Sequence, residues 1–208
     1  MDRLSELRAL GRRESFIPII ISSSEDLVSL IDQQELNERT TEEYLQAAES
    51  MDVSQWLVQR RESDPEAFQA DEGDWPTDAA PPTTLAACHQ LGSVKPRPHV
   101  FIARIPALNS WQIPAYLRYG NWNDCPDADV HVALARWWNK RFGAEIIAVT
   151  ADTIEFDVAN PPRDRETALA LAREHYLYCA DIVDQGCGTV STLAATILNG
   201  RYWYFWWD

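Results

Sequence analysis

The chain has 208 residues, of which 46% are apolar, and a formal net charge of −14. It has material for a substantial core, but no run of about 18 apolar residues, which excludes a hydrophobic helical span, and its four cysteines (Cys88, Cys125, Cys179, Cys187) are too scattered for a secreted disulfide scaffold. A field of this sign repels nucleic acid and anionic membranes and attracts basic protein surfaces.

Three turn-spaced leucines, Leu4, Leu7 and Leu10, predict one or two helical turns before Gly11. Phe16–Ile21 reads as a short strand containing Pro18; it is too short for a signal-peptide core and no small-residue cleavage site follows it, so a cytoplasmic protein is expected. Ser22–Ser24 offers N-caps to a helix with Glu25 and Asp26 in its first turn and a stripe of Leu27, Leu30 and Ile31. A second helix starts near Thr41 with Glu42 and Glu43 in its first turn, carries Tyr44, Leu45, Ala48 and Met51, and continues or restarts through Trp56 and Leu57. Residues 25–78 hold 16 acidic side chains against Arg39, Arg60 and Arg61, which places nearly all of the net charge in this segment. A solvated helical face that keeps the protein soluble is the plain reading of such a run; a docking surface for a basic partner is the functional one.

From Asp64 to Pro98 six prolines and the acidic string Asp71, Glu72, Asp74 predict a long connection, either a functional loop or a tether. Three parts follow: an acidic α-rich region (1–63), the proline-rich connection (64–98) and an α+β unit (99–208), expected to form one compact body. Val100–Ile105 reads as a strand. Val130, Leu134, Trp137, Trp138 and Phe142 share one face of a helix opened by Pro126 and stopped by Gly143. Residues 144–150 and 153–159 form a hairpin whose second arm alternates Ile154, Phe156, Val158 with Thr153, Glu155, Asp157, so one face is expected buried and one wet. Helices then follow to about Cys179 and from Thr189 to Leu198, separated by the turn Gly186–Gly188. Tyr202–Trp207 is aromatic at every position, which points to a central strand covered on both faces. The fold class is therefore α+β: an antiparallel-rich sheet with helices packed against it, plus an acidic, mostly helical N-terminal elaboration.

Several groups could carry chemistry. His175 and Cys179 stand at i, i+4, with Cys187 and His131 available to complete a metal site, although no Cys-x-x-Cys occurs and structural filling explains them as well. Cys125 precedes a helix N-terminus, where a thiolate is stabilised and His131 or His175 could act as base; a thiol packed beside Pro126 is the alternative. Asp181, Asp184 and Asp208 could gather as carboxylates, or serve only as caps. No phosphate loop or nucleophile elbow is present. Trp111, Tyr119, Trp122 and Asn123 cluster in a loop before the best-marked helix, aromatic and polar residues of the kind that anchor interfaces, with a ligand pocket or inward packing as competing readings.

The blocks Tyr116–Pro126 (YLRYGNWNDCP), Arg141–Glu145, Ala168–Ala172, Tyr178–Gly186 and Trp203–Asp208 (WYFWWD) together resemble the domain-of-unknown-function family 4253. The resemblance covers about residues 100–208 and, weakly, Trp56–Trp75. It implies a bacterial or phage origin but no activity, cofactor or catalytic residue. The expectation is a non-enzymatic protein-binding inhibitor needing no cofactor or metal, an immunity protein against a bacterial toxin. Glu42, Glu43, Asp71, Glu72 and Asp74 would steer a basic partner such as a nuclease, and Trp111, Tyr119, Trp122 and Asn123 would anchor it. A phage-type nucleic-acid mimic and a hydrolase or transferase using Cys125 or the late aspartates stand as alternatives.

Overall fold

Local signals place the helices where their caps are. The computed structural model describes residues 2–63, 68–90, 93 and 95–208; Asp64 and Pro65, where the proline-rich connection begins, lie outside them. Helix α1 (Asp2–Glu14) continues through Gly11, one turn beyond the expected stop. Ser23 caps α2 (Ser24–Leu36), and Thr40 and Glu43 form a reciprocal capping box on α3 (Thr41–Ser50), ahead of α4 (Val53–Ser63). The region 110–117, read as loop, is helical: a 3₁₀ turn at Ser110–Gln112 leads into the short α5 (Ile113–Leu117). Helix α6 (Ala128–Phe142) is capped by Asp127, so Pro126 precedes the helix instead of opening it, and the helix stops at Gly143, whose φ of 61° closes the last turn. Asp164 caps α7 (Arg165–Tyr178), a π-helical turn at Ile182–Cys187 replaces the expected glycine turn, and Thr189 caps α8 (Val190–Ile197).

Five strands form one sheet: β1 (Ile17–Ile21), β2 (Phe101–Ile105), β3 (Ala144–Val149), β4 (Thr153–Val158) and β5 (Tyr202–Trp206), in the order β2-β1-β3-β4-β5. Every pairing is antiparallel except β1 with β3. β1 tolerates Pro18 at an inner position because its parallel register with β3 is at Ile20↔Ala148, past the missing N–H. The N-terminal segment is thus not an appendage, since its strand lies inside the sheet.

One face of the sheet turns Ile19, Ile21, Ile146, Ile154, Phe156, Trp203 and Phe205 into the main core beneath α2, α3, α5, α6, α7 and α8. The second face is also covered. Leu4 of α1 and Leu85 and Ala87 of the proline-rich segment bury Ile20, Ile147 and Tyr202. This corrects the expectation of a wet face on β4: Glu155 is 2% exposed, and its carboxylate accepts the N–H groups of Ala86 and Ala87 at 2.7 Å each. A carboxylate on two backbone donors is what lets a charge-bearing residue lie under this strap. The described part of the connection is therefore a packed strap: Phe68, Ala70 and Trp75 rest on the core, and Asp71 and Glu72 carbonyls accept the free N–H groups of Val190 and Ser191 at the start of α8.

A second correction concerns β5, which is an edge strand and not a central one. Its side chains alternate between the two faces, with Trp203, Phe205 and Trp207 under the helices and Tyr202 under the strap, while Tyr204 is 39% exposed beyond it. Ile31, expected in the α2 stripe, is exposed; the buried position of that helix is Leu30.

Candidate functional site

The segment between α5 and α6 departs most from ordinary backbone geometry. Arg118 ends α5 at φ 50°, and Gly120 (φ 107°), Asn121 (φ 70°) and Asn123 (φ 45°) follow in the same left-handed region. Asparagine enters that region more readily than other side chains, yet a run of such residues persists only where the surroundings impose it. Here they do. The Asn121 N–H is shared between the carbonyls of Cys125 (3.2 Å) and Pro126 (3.0 Å), and Cys125 N–H returns to Trp122 O at 2.8 Å. At Gly120 a Cβ would sit 1.9 Å from the Pro126 oxygen and 2.8 Å from His131 Nε2. Gly120→Ala is accordingly expected to cost about 3 kcal/mol or more. A melting temperature within 2 °C of the parent protein would show that the loop is not locked as described, a shift smaller than about 1 kcal/mol produces.

Below the loop lies a buried polar centre. The Tyr178 hydroxyl stands 2.5 Å from His131 Nδ1, and His131 Nε2 stands 3.4 Å from Cys125 Sγ. All three residues are at most 4% exposed. Burial holds the His131 imidazole down at about 3 against a weaker pull from the Pro126 carbonyl, and burial pushes the Cys125 thiol well up, assisted by Cys179. The pair is thus neutral thiol and neutral imidazole, whereas an activated cysteine–histidine pair holds thiolate and imidazolium. Tyr119, fully buried, packs edge-on against both His131 (5.3 Å) and Trp122 (5.0 Å).

The other chemistry-bearing residues are dispersed. His175 is wedged among Trp138, Trp203 and Phe205 with centroids 4.7 to 4.8 Å apart, and burial lowers it to about 3. Cys179 donates to the Trp206 carbonyl at 2.9 Å, and burial pushes it up to about 12. Asp184 accepts the Tyr176 hydroxyl, while Asp181 accepts the Asp208 N–H. Among the described residues no group of three or more His, Cys, Asp or Glu converges to hold a metal ion.

Above the loop, the acidic helices are stitched to it. Gln34 donates to the Tyr116 carbonyl at 2.7 Å, and Asn37 to the Arg118 carbonyl at 3.0 Å. Arg118 answers by donating to the Gln34 and Asn37 carbonyls at the end of α2. Arg39 pairs with Asp127 (2.8 Å) and Asp129 (3.1 Å), and Arg60 pairs with Asp124. Asn123 donates to the Asp208 carbonyl. Two of the three arginines in the acidic segment are therefore occupied by aspartates of the loop and its helix. These clamps were not read from the sequence; the only signal for them is that isolated arginines occur in an acidic run.

The expected partner-binding residues fall into separate settings. Glu42 and Glu43 are exposed on α3, next to the Arg39 clamp, with Glu43 also serving the capping box. Asp71, Glu72 and Asp74 are exposed on the strap against α7 and α8, where Glu72 pairs with Arg173. Trp122 is half-buried and Asn123 exposed on the loop. Trp111 is half-buried beside Arg136, on the 3₁₀ turn before α5. Tyr119 is inside the core and presents no surface.

The family described as Domain of unknown function (DUF4253) matches residues 101–208, just over half of the chain. No curated protein and no solved structure matches it.

Proposed function

On the premise that this chain belongs to the DUF4253 family, whose description assigns no activity, we propose that it is a protein-binding inhibitor that neutralises a basic bacterial toxin or effector. The observation that carries this reading is the stitching of α2, the turn before α3, and α4 to the segment Tyr116–Asp127, which joins an acidic helical surface to a rigid aromatic and asparagine-rich one. A rigid loop loses little conformational freedom on binding, and acidic flanks speed encounter with a cationic partner. The neutral, buried state of Cys125 and His131 supports a packing role for them.

Steering and anchoring have different kinetic signatures. Replacing Asp32 and Glu35, exposed on α2, and Glu42, exposed on α3, by their amides is expected to slow association with a basic partner about tenfold at low salt and to have little effect at high salt. Trp122→Ala is expected to speed dissociation about 30-fold at any salt, the equivalent of roughly 2 kcal/mol. The test is co-expression with a toxin-like domain from a neighbouring reading frame, followed by kinetics on the purified pair. Relief of growth arrest that survives both sets of substitutions would sink this surface as the inhibitory one.

A further inference from the structure

The two edges of the sheet are not equally protected. β2 carries Arg104 and is followed by Pro106, devices that discourage strand pairing, whereas β5 from Tyr202 to Trp207 holds neither charge nor proline. Its register identifies what it leaves open. Arg201 O accepts from Val158 N–H, Trp207 N–H donates to Asp152 O, and Trp203 and Phe205 stand opposite Phe156 and Ile154. The ladder to β4 thus uses residues 201, 203, 205 and 207, and the main-chain groups of Tyr202, Tyr204 and Trp206 point the other way. The Trp206 carbonyl confirms this direction, because it accepts from Cys179 on the far side. The N–H and C=O groups of Tyr202 and Tyr204 meet no protein partner among the described residues.

Those four groups lie along a cleft of about 400 Å³, walled by Ile182, Leu193 and Ile197 on one side and by Pro82 and Thr84 of the strap on the other. His175 and Trp203, each 1% exposed, also line it, and His175 Nε2 and Trp203 Nε1 have no hydrogen-bond partner among the described residues. Among the described residues no Lys or Arg lines the cleft. Past Ile182 the end of β5 is acidic: Asp181 holds the main chain of Asp208, whose own side chain is exposed. An unfilled main-chain ladder beside apolar walls fits an extended peptide, and an acidic end fits a cationic one. A second copy is the poorer occupant, since it would bring two chains of net charge −14 edge to edge.

We propose that the β5 edge is a strand-addition site, which captures an extended segment of another protein, apolar at alternate positions and carrying Lys or Arg where it passes Asp181 and Asp208. Through the Asn123 contact with Asp208 the site adjoins the loop surface. It rests on the protein-binding reading only for the class of partner, and its test does not use the toxin assay or Trp122.

The probe is a display library of random 12-residue peptides selected on the whole protein and counter-selected on Tyr204→Pro. Proline at 204 deletes an outward N–H and no bond to β4. The expected result is enrichment of peptides with alternate apolar residues and Lys or Arg. Their synthetic forms should bind Tyr204→Pro at least tenfold more weakly, and so should variants N-methylated at alternate amides on the native protein. The N-methyl comparison keeps the question answerable if Tyr204→Pro fails to fold. Equal binding of N-methylated and unmodified peptides overturns the proposal, as does enrichment of no peptide at all. Sedimentation showing a dimer that Tyr204→Pro converts to monomer overturns it as well, in favour of a second copy.

Discussion

Deleting Tyr202–Asp208 is expected to leave a chain without a cooperative unfolding transition. The deletion removes Trp203, Phe205 and Trp207, all at most 1% exposed, and strips β4 of its only antiparallel neighbour besides β3. Phe205 stacks on Trp138 at 5.4 Å with parallel planes, and Trp203 contacts Trp138, Phe142 and His175, so their loss leaves cavities under α6 and α7. Truncating one such ring typically costs about 3–5 kcal/mol, against a total stability on the order of 5–15 kcal/mol. Three rings exceed what the fold has to lose. Thermal unfolding followed by circular dichroism decides the matter, and a sharp transition in the truncated chain would refute the argument. Trp203→Ala should fold, with a loss of about 3–5 kcal/mol.

Acid lability is the second large effect. His131 and His175 are both held at about 3 by burial, while an unfolded chain titrates histidine near 6.5. The folded pKa is depressed, so the unfolded state takes up protons that the folded state refuses, and stability falls as pH drops from about 6.5 toward 3. Each histidine contributes roughly 1.4 kcal/mol per pH unit in that window, so the two together cost on the order of 4 kcal/mol at pH 5. Glu155 acts in the opposite direction: burial raises its carboxyl despite the Ala87 and Ala86 N–H groups, so it favours the fold slightly as pH falls. A comparison with His175→Phe isolates the histidine contribution from that of the acidic surface. An apolar ring of similar size suits a site walled by Trp138, Trp203 and Phe205 where Nε2 has no partner. The variant should lose about one proton from the pH dependence of unfolding between pH 6.5 and 4. An unchanged slope would mean that His175 is not buried in its neutral form.

Much of this architecture was legible because its signals are local. Asp127, Pro126 and Gly143 bracket α6, and the alternation Ile154, Phe156, Val158 marks the face of β4 that meets the helices. The errors come from long-range packing. A strand apolar on both faces was read as central, but side-chain pattern reports what covers the faces of a sheet and is silent on what pairs with its edges. β5 is covered above by helices and, at Tyr202, below by the strap, and is still unpaired along one side. Glu155 was read as wet for a related reason, since its covering comes from Ala86 and Ala87, nearly 70 positions away. The loop set divided likewise: Trp122 and Asn123 reach the surface, whereas Tyr119 is taken into the core by His131 and Trp207.

The position of β1 bears on the order in which the molecule is assembled. On the ribosome Ile17–Ile21 emerges well before its two sheet neighbours, Phe101–Ile105 and Ala144–Val149. Its isoleucines must wait until both have been made, or pair wrongly in the interval, so closure of the sheet has a long loop to close. A fragment limited to residues 101–208 would carry β2 and β3 with the strand that bridges them missing, and would expose two raw edges in addition to the open edge of β5.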